Sequence, residues 1–168
     1  EADRLLSLIT RKSNGDVILE YSYEYDNVGN VLKMTEFGIV VTSYEYDAIY
    51  RLVNVTYPWG EFVKYTYDAV GNRLSEVVET GDTVGITPYT YDEDNRMLRA
   101  GGTNCTYDNN GNLISKTDFS GTIHYQYDYE NRLTRVTYPN GSSVTYHYSP
   151  NGERFSKTTN PTAYYFYD

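Results

Sequence analysis

Residues 65–74 read YTYDAVGNRL, a strand that runs into a tight reversal and out again. Tyr65 and Tyr67 fall on one side of an extended chain and Thr66 on the other, because successive strand side chains alternate. Aromatic and β-branched residues fit such a pleated surface. Asp68 opens the turn, since its carboxylate can accept backbone N–H groups one or two residues on. Gly71 can take the positive φ that the reversal requires. Asn72 can support a similar conformation, and Arg73 and Leu74 re-enter a strand.

The same order of residue types recurs on both sides of this stretch. Tyr23 and Tyr25 lead into Asp26, followed by Gly29 and Asn30; Tyr44 and Tyr46 lead into Asp47. Further on, Tyr89 and Tyr91 precede Asp92, Tyr107 precedes Asp108 with Gly111 and Asn112, and Tyr125 and Tyr127 precede Asp128. Ser149 takes the Asp place next, and Asp168 closes the series, with steps of 21, 21, 24, 16, 20, 21 and 19 residues. A period in this range marks a repeat architecture. The chain is therefore about eight copies of a unit of roughly 20 residues, one continuous array over 1–168. DRLLSL at residues 3–8 matches the part of the unit after the turn and YFYD at 165–168 the part before it. Both ends fall inside a repeat, so a segment of a longer polypeptide is expected, since arrays usually finish in capping repeats.

A second turn signal ends the returning strand of several units: Ser13-Asn14-Gly15-Asp16, Tyr57-Pro58-Trp59-Gly60, Phe119-Ser120-Gly121 and Tyr138-Pro139-Asn140-Gly141. Such clusters are hairpin turns by composition. Each unit then supplies two antiparallel strands, and the units pair edge to edge into a single all-β meander with no helical periodicity. The strand after the Asp turn leaves its faces ambiguous, because Leu133 has opposite parity to Val136 and Tyr138, and Leu52 to Val55 and Tyr57. Either a bulge restores the parity, or the sheet is covered on both sides.

Composition narrows the function. With 39% apolar residues and a mean hydropathy of -0.63, a thick aliphatic core is not expected. The 21 Tyr supply large rigid rings whose hydroxyls can stay wet. A net charge of -9 and pI ≈ 4.7 argue against nucleic acid, which needs clustered cations to displace counterions. No stretch approaches the roughly 20 apolar residues of a membrane helix. The lone Cys105 excludes an internal disulfide framework.

No catalytic, cofactor or metal site emerges. A glycosidase-like carboxylate pair needs one asymmetric constellation, whereas the same Asp repeated turn after turn has one shared local cause, side-chain bonding to the turn backbone. Asp108, Asn109, Asn110 and Asn112 concentrate oxygens that could suit Ca²⁺, but their spacing is neither an EF-hand nor a calcium β-roll. His124 and His147 lack the companions of a zinc site; His147 sits at a tolerant middle position expected to be exposed. Cys105 replaces the first Tyr of its unit and reads as a buried, inert thiol. Arg51, Arg73, Arg96 and Arg132 follow the turns and could form a ladder partnered by carboxylates or Tyr faces. Sequons at Asn54, Asn104 and Asn140 matter only in a eukaryotic secretory setting.

The sequence resembles the YD-repeat, or Rhs-repeat, family. The hallmark Tyr-x-Tyr-Asp-x-x-Gly-Asn-Arg-Leu is complete at Tyr65 to Leu74 and nearly so around Tyr23, Tyr107 and Tyr125. That family includes bacterial Rhs and wall-associated polymorphic toxins, the C subunits of insecticidal toxin complexes and the animal teneurins. The resemblance implies a curved, spiralling sheet forming part of a hollow β-shell around a C-terminal toxin domain. It also implies a secreted or surface-exposed bacterial protein, whose partners are neighbouring YD repeats and an enclosed protein cargo. No Asp-Pro-x-Gly-type motif ends the array, so neither autoproteolysis nor a toxin activity is carried over. Two other readings stay open: a glycan-binding array, since evenly spaced aromatics can stack on sugars, and a teneurin-like adhesion scaffold.

Overall fold

The computed structural model describes residues 4–160 and 163–166; Asp3 of the first partial copy and Tyr167 and Asp168 of the last lie outside them. The described residues hold sixteen strands and no helix, each strand paired antiparallel with the next in chain order. Contacts divide the chain into two compact units, Glu1–Pro88 and Tyr89–Asp168. The first contains β1 (Ser7–Arg11), β2 (Val17–Tyr25), β3 (Val31–Glu36), β4 (Val40–Tyr46), β5 (Leu52–Thr56), β6 (Phe62–Tyr67), β7 (Arg73–Thr80) and most of β8 (Thr83–Tyr91). The second takes the end of β8, then β9 (Met97–Ala100), β10 (Thr103–Tyr107), β11 (Leu113–Asp118), β12 (Gly121–Tyr127), β13 (Leu133–Thr137), β14 (Ser143–Tyr148), β15 (Arg154–Asn160) and β16 (Ala163–Phe166). Within β8, Thr83–Pro88 pairs with β7 and Tyr89–Tyr91 with β9. This is the all-β hairpin array expected from the repeats.

Each Asp turn is a three-residue loop. At β6–β7 the Asp68 N–H donates to the Asn72 carbonyl at 2.9 Å, and the Gly71 N–H to the Asp68 carbonyl at 3.3 Å. Residue three after the Asp must then be left-handed, and Gly71 has φ +103°. Three turns fill this place with a side-chain-bearing residue: Tyr50 at φ 65°, Asn95 at 61° and Asn131 at 61°. Asn tolerates that region and a bulky Tyr does so at a cost. Asn72 itself is not left-handed, contrary to the sequence expectation; its role is to close the turn.

The parity conflict is resolved by a bulge, repeated in all seven hairpins that turn at Asp26, Asp47, Asp68, Asp92, Asp108, Asp128 and Ser149. At the Asp128 turn, Tyr127 faces Leu133 and Gln126 faces Arg135, leaving Thr134 unopposed. One extra residue shifts the alternation by one. Leu133, opposite Tyr127, and Val136, opposite Tyr125, therefore share the tyrosine face.

That face carries the packing. Tyr44, Val55 and Val63 form one row across β4–β6, and Tyr125, Val136 and Val144 another across β12–β14. Val55 is 5% exposed and Cys105 5%, yet no large side chain among the described residues is fully buried. Each row rests on cross-strand pairs worth about 0.2–1 kcal/mol apiece. The middle residues of the Tyr-x-Tyr strands, Thr66 and His147 among them, are exposed. The opposite face carries polar cross-strand pairs: Lys33 pairs with Glu24 at 3.2 Å, and Thr66 bonds Ser75 and Thr106 bonds Ser115, each at 2.6 Å.

Two glycines of the first unit separate backbone conformation from crowding. A Cβ at Gly71 would meet nothing within 4 Å, so the positive φ alone penalises Gly71→Val, by about 1–3 kcal/mol. Gly85, opposite Val78 in the β7–β8 ladder, has no positive φ. Gly85→Val should leave the thermal midpoint nearly unchanged while Gly71→Val lowers it; equal effects would refute the turn assignment.

Candidate functional site

The repeated chemistry of this chain lies at its Asp turns, where each carboxylate is saturated by local donors. Asp68 Oδ1 accepts the N–H groups of Val70, Gly71 and Asn72 at 3.0, 2.8 and 2.8 Å, and Oδ2 accepts Asn72 Nδ2 at 2.9 Å. Asp26 repeats this with Val28, Gly29 and Asn30. Asp108 is held by the Asn110 and Asn112 N–H groups and by Asn112 Nδ2. Asp47 uses the Ile49 and Arg51 N–H groups and takes Arg51 Nε on Oδ2 at 2.7 Å; Asp92 with Arg96 and Asp128 with Arg132 have the same 2.7 Å contact. Ser149 keeps only a 3.2 Å bond from the Glu153 N–H.

These bonds set the acidity of the carboxyls. For Asp47 the Arg51 N–H is the largest influence, and for Asp108 it is the Asn112 amide; both hold the carboxyl below its ordinary value. For Asp26, Asp68, Asp92 and Asp128, desolvation pushes upward most strongly as a single influence, but the combined hydrogen bonds outweigh it and the carboxyl again falls. Burial raises the tyrosines Tyr44, Tyr46, Tyr65, Tyr107, Tyr125 and Tyr127. Carboxylates filled in this way are turn staples, and the amide nitrogens of Asn110 and Asn112 donate to Asn131 Oδ1, at 3.0 and 2.7 Å.

In several units the hydroxyl of the second tyrosine donates to a backbone carbonyl of an earlier unit: Tyr25 to Leu5, and, just past the preceding turn, Tyr46 to Val31, Tyr67 to Leu52, Tyr107 to Met97 and Tyr148 to Leu133, at 2.8–3.0 Å. These hydroxyls are bonded to protein, where the sequence suggested that they would stay wet.

Three of the four arginines meet the carboxylate and tyrosine partners that the sequence suggested, and Arg73 is placed differently. Arg51, Arg96 and Arg132 stand four residues after their Asp, but Arg73 stands five after Asp68. Arg73 pairs with Glu76 at 3.2 Å and lies 4.3 Å from the Tyr65 ring. The other three reach forward, over Tyr67, Tyr107 and Tyr148 at 4.8, 5.3 and 5.1 Å. Arg51 Nη1 also donates to the Asp68 carbonyl at 2.9 Å. The fourth position after the Asp thus alternates along the chain: Asn30, Arg51, Asn72, Arg96, Asn112, Arg132. In two turns a glycine lies close beneath the reaching arginine. A Cβ on Gly29 would lie 3.2 Å from Arg4 Nη2, and one on Gly111 3.7 Å from Arg96 Nη1. This two-unit period is visible once the copies are aligned on Asp rather than on the Arg-Leu pair, which sits one residue later at Arg73-Leu74 than at Arg51-Leu52.

Among the remaining candidates, Cys105 is buried and free as expected. His147 stacks on Phe155 with ring centroids 6.1 Å apart, and His124 is exposed. No group of three His, Cys, Asp or Glu that could hold a metal occurs among the described residues.

The staples make stability acid-sensitive. A carboxyl depressed in the folded state contributes stability present above its unfolded pKa, near 4, and lost as pH falls through the folded value. The thermal midpoint should hold steady above about pH 5 and fall below about pH 4. At neutral pH, Asp68→Asn should be tolerated, because Asn72 can flip its amide to meet the new group. Asp47→Asn should lower the midpoint more, because Arg51 Nε can only donate. Equal losses at the two sites would refute this account. Tyr67→Phe should cost about 0.5–1.5 kcal/mol by removing the bond to Leu52, while Tyr129→Phe, at an 88% exposed position, should cost nothing measurable by urea denaturation.

Comparisons with known proteins agree with this geometry. The family model described as Teneurin YD-shell matches residues 3–167. No curated protein matches the chain. Among solved structures, the Photorhabdus luminescens Tc holotoxin pore is similar at 22% identity and TM-score 0.77, over 95% of this chain and 10% of that one. The TcdB2-TccC3-Cdc42 complex is similar at 19% identity and TM-score 0.59, over 98% and 11%. TcdB2-TccC3 without its hypervariable C-terminal region is similar at 19% and 0.59, over 96% and 11%. The chain therefore spans about a tenth of the length of the structures it matches. With a matching family model over nearly all its residues and a tyrosine and aspartate staple repeated along its sheet, the chain belongs to the Teneurin YD-shell family.

Proposed function

We propose that this chain is a non-catalytic length of wall, one continuous array of YD repeats in a secreted or surface-exposed shell that encloses a C-terminal toxin or effector domain. The observation that carries this reading is the use of the motif side chains. Asp, Asn, Arg and the second Tyr of successive units are spent on one another and on backbone groups, turn after turn. Side chains committed in this way build a sheet of indefinite length, as nearest-neighbour repeats do. The similarity to Tc toxin structures, among them TcdB2-TccC3 without its hypervariable C-terminal region, supports an enclosed protein cargo over an adhesion scaffold. A glycan-binding array fares less well, because the motif tyrosines are half-buried and several hydroxyls already donate to carbonyls. The more exposed Trp59 and Phe119, 78% and 101% exposed, stand outside the Tyr-x-Tyr-Asp motif, on turns of different units.

The test uses the complete polypeptide that carries these repeats. The segment following the array should resist protease in the intact protein, and become sensitive when Asp47→Asn, Asp92→Asn and Asp128→Asn are combined. Digestion of that segment in the intact protein as fast as in isolation would overturn the proposal.

A further inference from the structure

Four asparagines of this chain precede a glycine: Asn14, Asn110, Asn140 and Asn151. All four are exposed, and each stands at the same place in a three-residue loop. The glycine N–H donates to the carbonyl three residues back, at 3.0 Å for Gly15 and Gly111 and 2.9 Å for Gly141 and Gly152. The four glycines also share a left-handed φ, between 81° and 93°. An asparagine before glycine is open to attack on its own side chain, because no Cβ shields the following backbone nitrogen. Backbone shape and accessibility therefore make these four sites equivalent.

Their side chains make them different. Asn14 Oδ1 accepts the Asp16 N–H at 3.2 Å while its Nδ2 donates to Asp16 Oδ2 at 2.8 Å. Asn140 Oδ1 accepts both the N–H and the hydroxyl of Ser142, at 3.0 and 2.7 Å. Asn110 Nδ2 donates to Asn131 Oδ1 at 3.0 Å, in a loop stapled by the Asp108 carboxylate. The Asn151 amide has no hydrogen-bond partner among the described residues. Its loop starts at Ser149, whose hydroxyl receives one 3.2 Å bond, from the Glu153 N–H. A cation stands over this loop as well: a Cβ on Gly152 would lie 4.0 Å from Arg132 Nη1, whereas Gly15 and Gly141 have nothing within 4 Å. Arg96 comes as near to Gly111, but there the Asp108 carboxylate sets an opposing charge under the same glycine. A nearby cation favours a developing anion and a nearby carboxylate disfavours it.

We propose that Asn151 is a site of spontaneous deamidation, singled out by its untied amide, its unstapled loop and the Arg132 cation. Hydroxide or a buffer base removes the Gly152 N–H proton, and the backbone nitrogen attacks Asn151 Cγ. A new C–N bond closes a succinimide ring, the bond from Cγ to Nδ2 breaks, and that nitrogen leaves as ammonia. One water then opens the ring at either carbonyl, giving aspartate or isoaspartate, with no change of oxidation state. Either product places a carboxylate in a loop on which Arg132 leans. Isoaspartate also adds a backbone atom, which puts the start of β15 out of step with Tyr148, the residue that now faces Arg154. Covalent change therefore begins at the one motif turn where Asp is replaced by Ser.

The experiment holds the full chain in mildly alkaline buffer at physiological temperature and follows each Asn-Gly pair by peptide mapping and mass spectrometry. The gain of an acid for an amide should appear at Asn151 about tenfold faster than at Asn14, Asn110 or Asn140, where a side-chain hydrogen bond must break first. Ser149→Asp restores the staple and should slow the loss at Asn151 about tenfold, while raising the thermal midpoint. In urea, where the loops are open, the four rates should converge, since glycine follows every one of these asparagines. Equal rates in the folded chain, another of the four reacting first, or an Asn151 rate indifferent to Ser149→Asp would overturn the site. So would an Asn151 lead that persists undiminished in urea, because the fold would then have no part in it.

Discussion

A carboxylate filled by backbone N–H groups is the interaction on which the rest of this structure depends. A hairpin sheet of half-buried tyrosines has little apolar volume to fix its strands, and register is weakly specified where neither face is deeply buried. The Asp turns supply that definition locally. Asp68 Oδ1 gathers three successive N–H groups, which leaves one geometry for the reversal and one point at which the returning strand begins. The bulge after each turn then follows, because the loop delivers the chain one residue out of step with the tyrosine face.

From this local element the longer-range order is built in two directions. Backward, a tyrosine hydroxyl reaches the carbonyl past the preceding turn. Forward, an arginine clamped by its own Asp lies over the tyrosine of the following unit. Neither contact is large; each neutral hydrogen bond contributes about 0.5–1.5 kcal/mol and each exposed cation–π contact roughly 0.5–1 kcal/mol. Their value lies in repetition, since nearest-neighbour terms add along a repeat array.

Much of this was legible in the sequence because the turn is specified by types with few substitutes. Asp, Gly and Asn at fixed offsets announced the hairpins, and the period announced the array. Three features were harder to read. The bulge left opposite-parity residues such as Leu133 and Val136 as an unresolved pair of alternatives, since parity alone does not say which residue goes unopposed. The left-handed Tyr50 is disguised, because nothing about a tyrosine signals positive φ. The arginine reach was misaligned by Arg73, whose neighbour Leu74 is the bulge residue of its unit rather than the counterpart of Leu52. The tyrosine hydroxyl bonds join residues 10 to 20 apart, and no local pattern encodes an acceptor that is a bare carbonyl.

The alternation of Asn and Arg at the closing position carries a physical constraint of its own. An arginine that leans on the next turn can come close above that turn's left-handed residue, as Arg4 does at Gly29 and Arg96 at Gly111, although Gly71 keeps open space beneath Arg51. A glycine is favoured there, and the glycine turn is closed in these cases by Asn, whose short amide stays within its own loop. The following left-handed position is then free to carry a side chain: Tyr50 after Asn30, and Asn131 after Asn112, where Asn131 accepts the Asn112 amide. Two hairpins, one reaching and one receiving, are thus the unit that keeps its side chains out of conflict. Two reaching turns in succession would set one arginine over a turn itself closed by arginine, an arrangement that none of the described turns adopts.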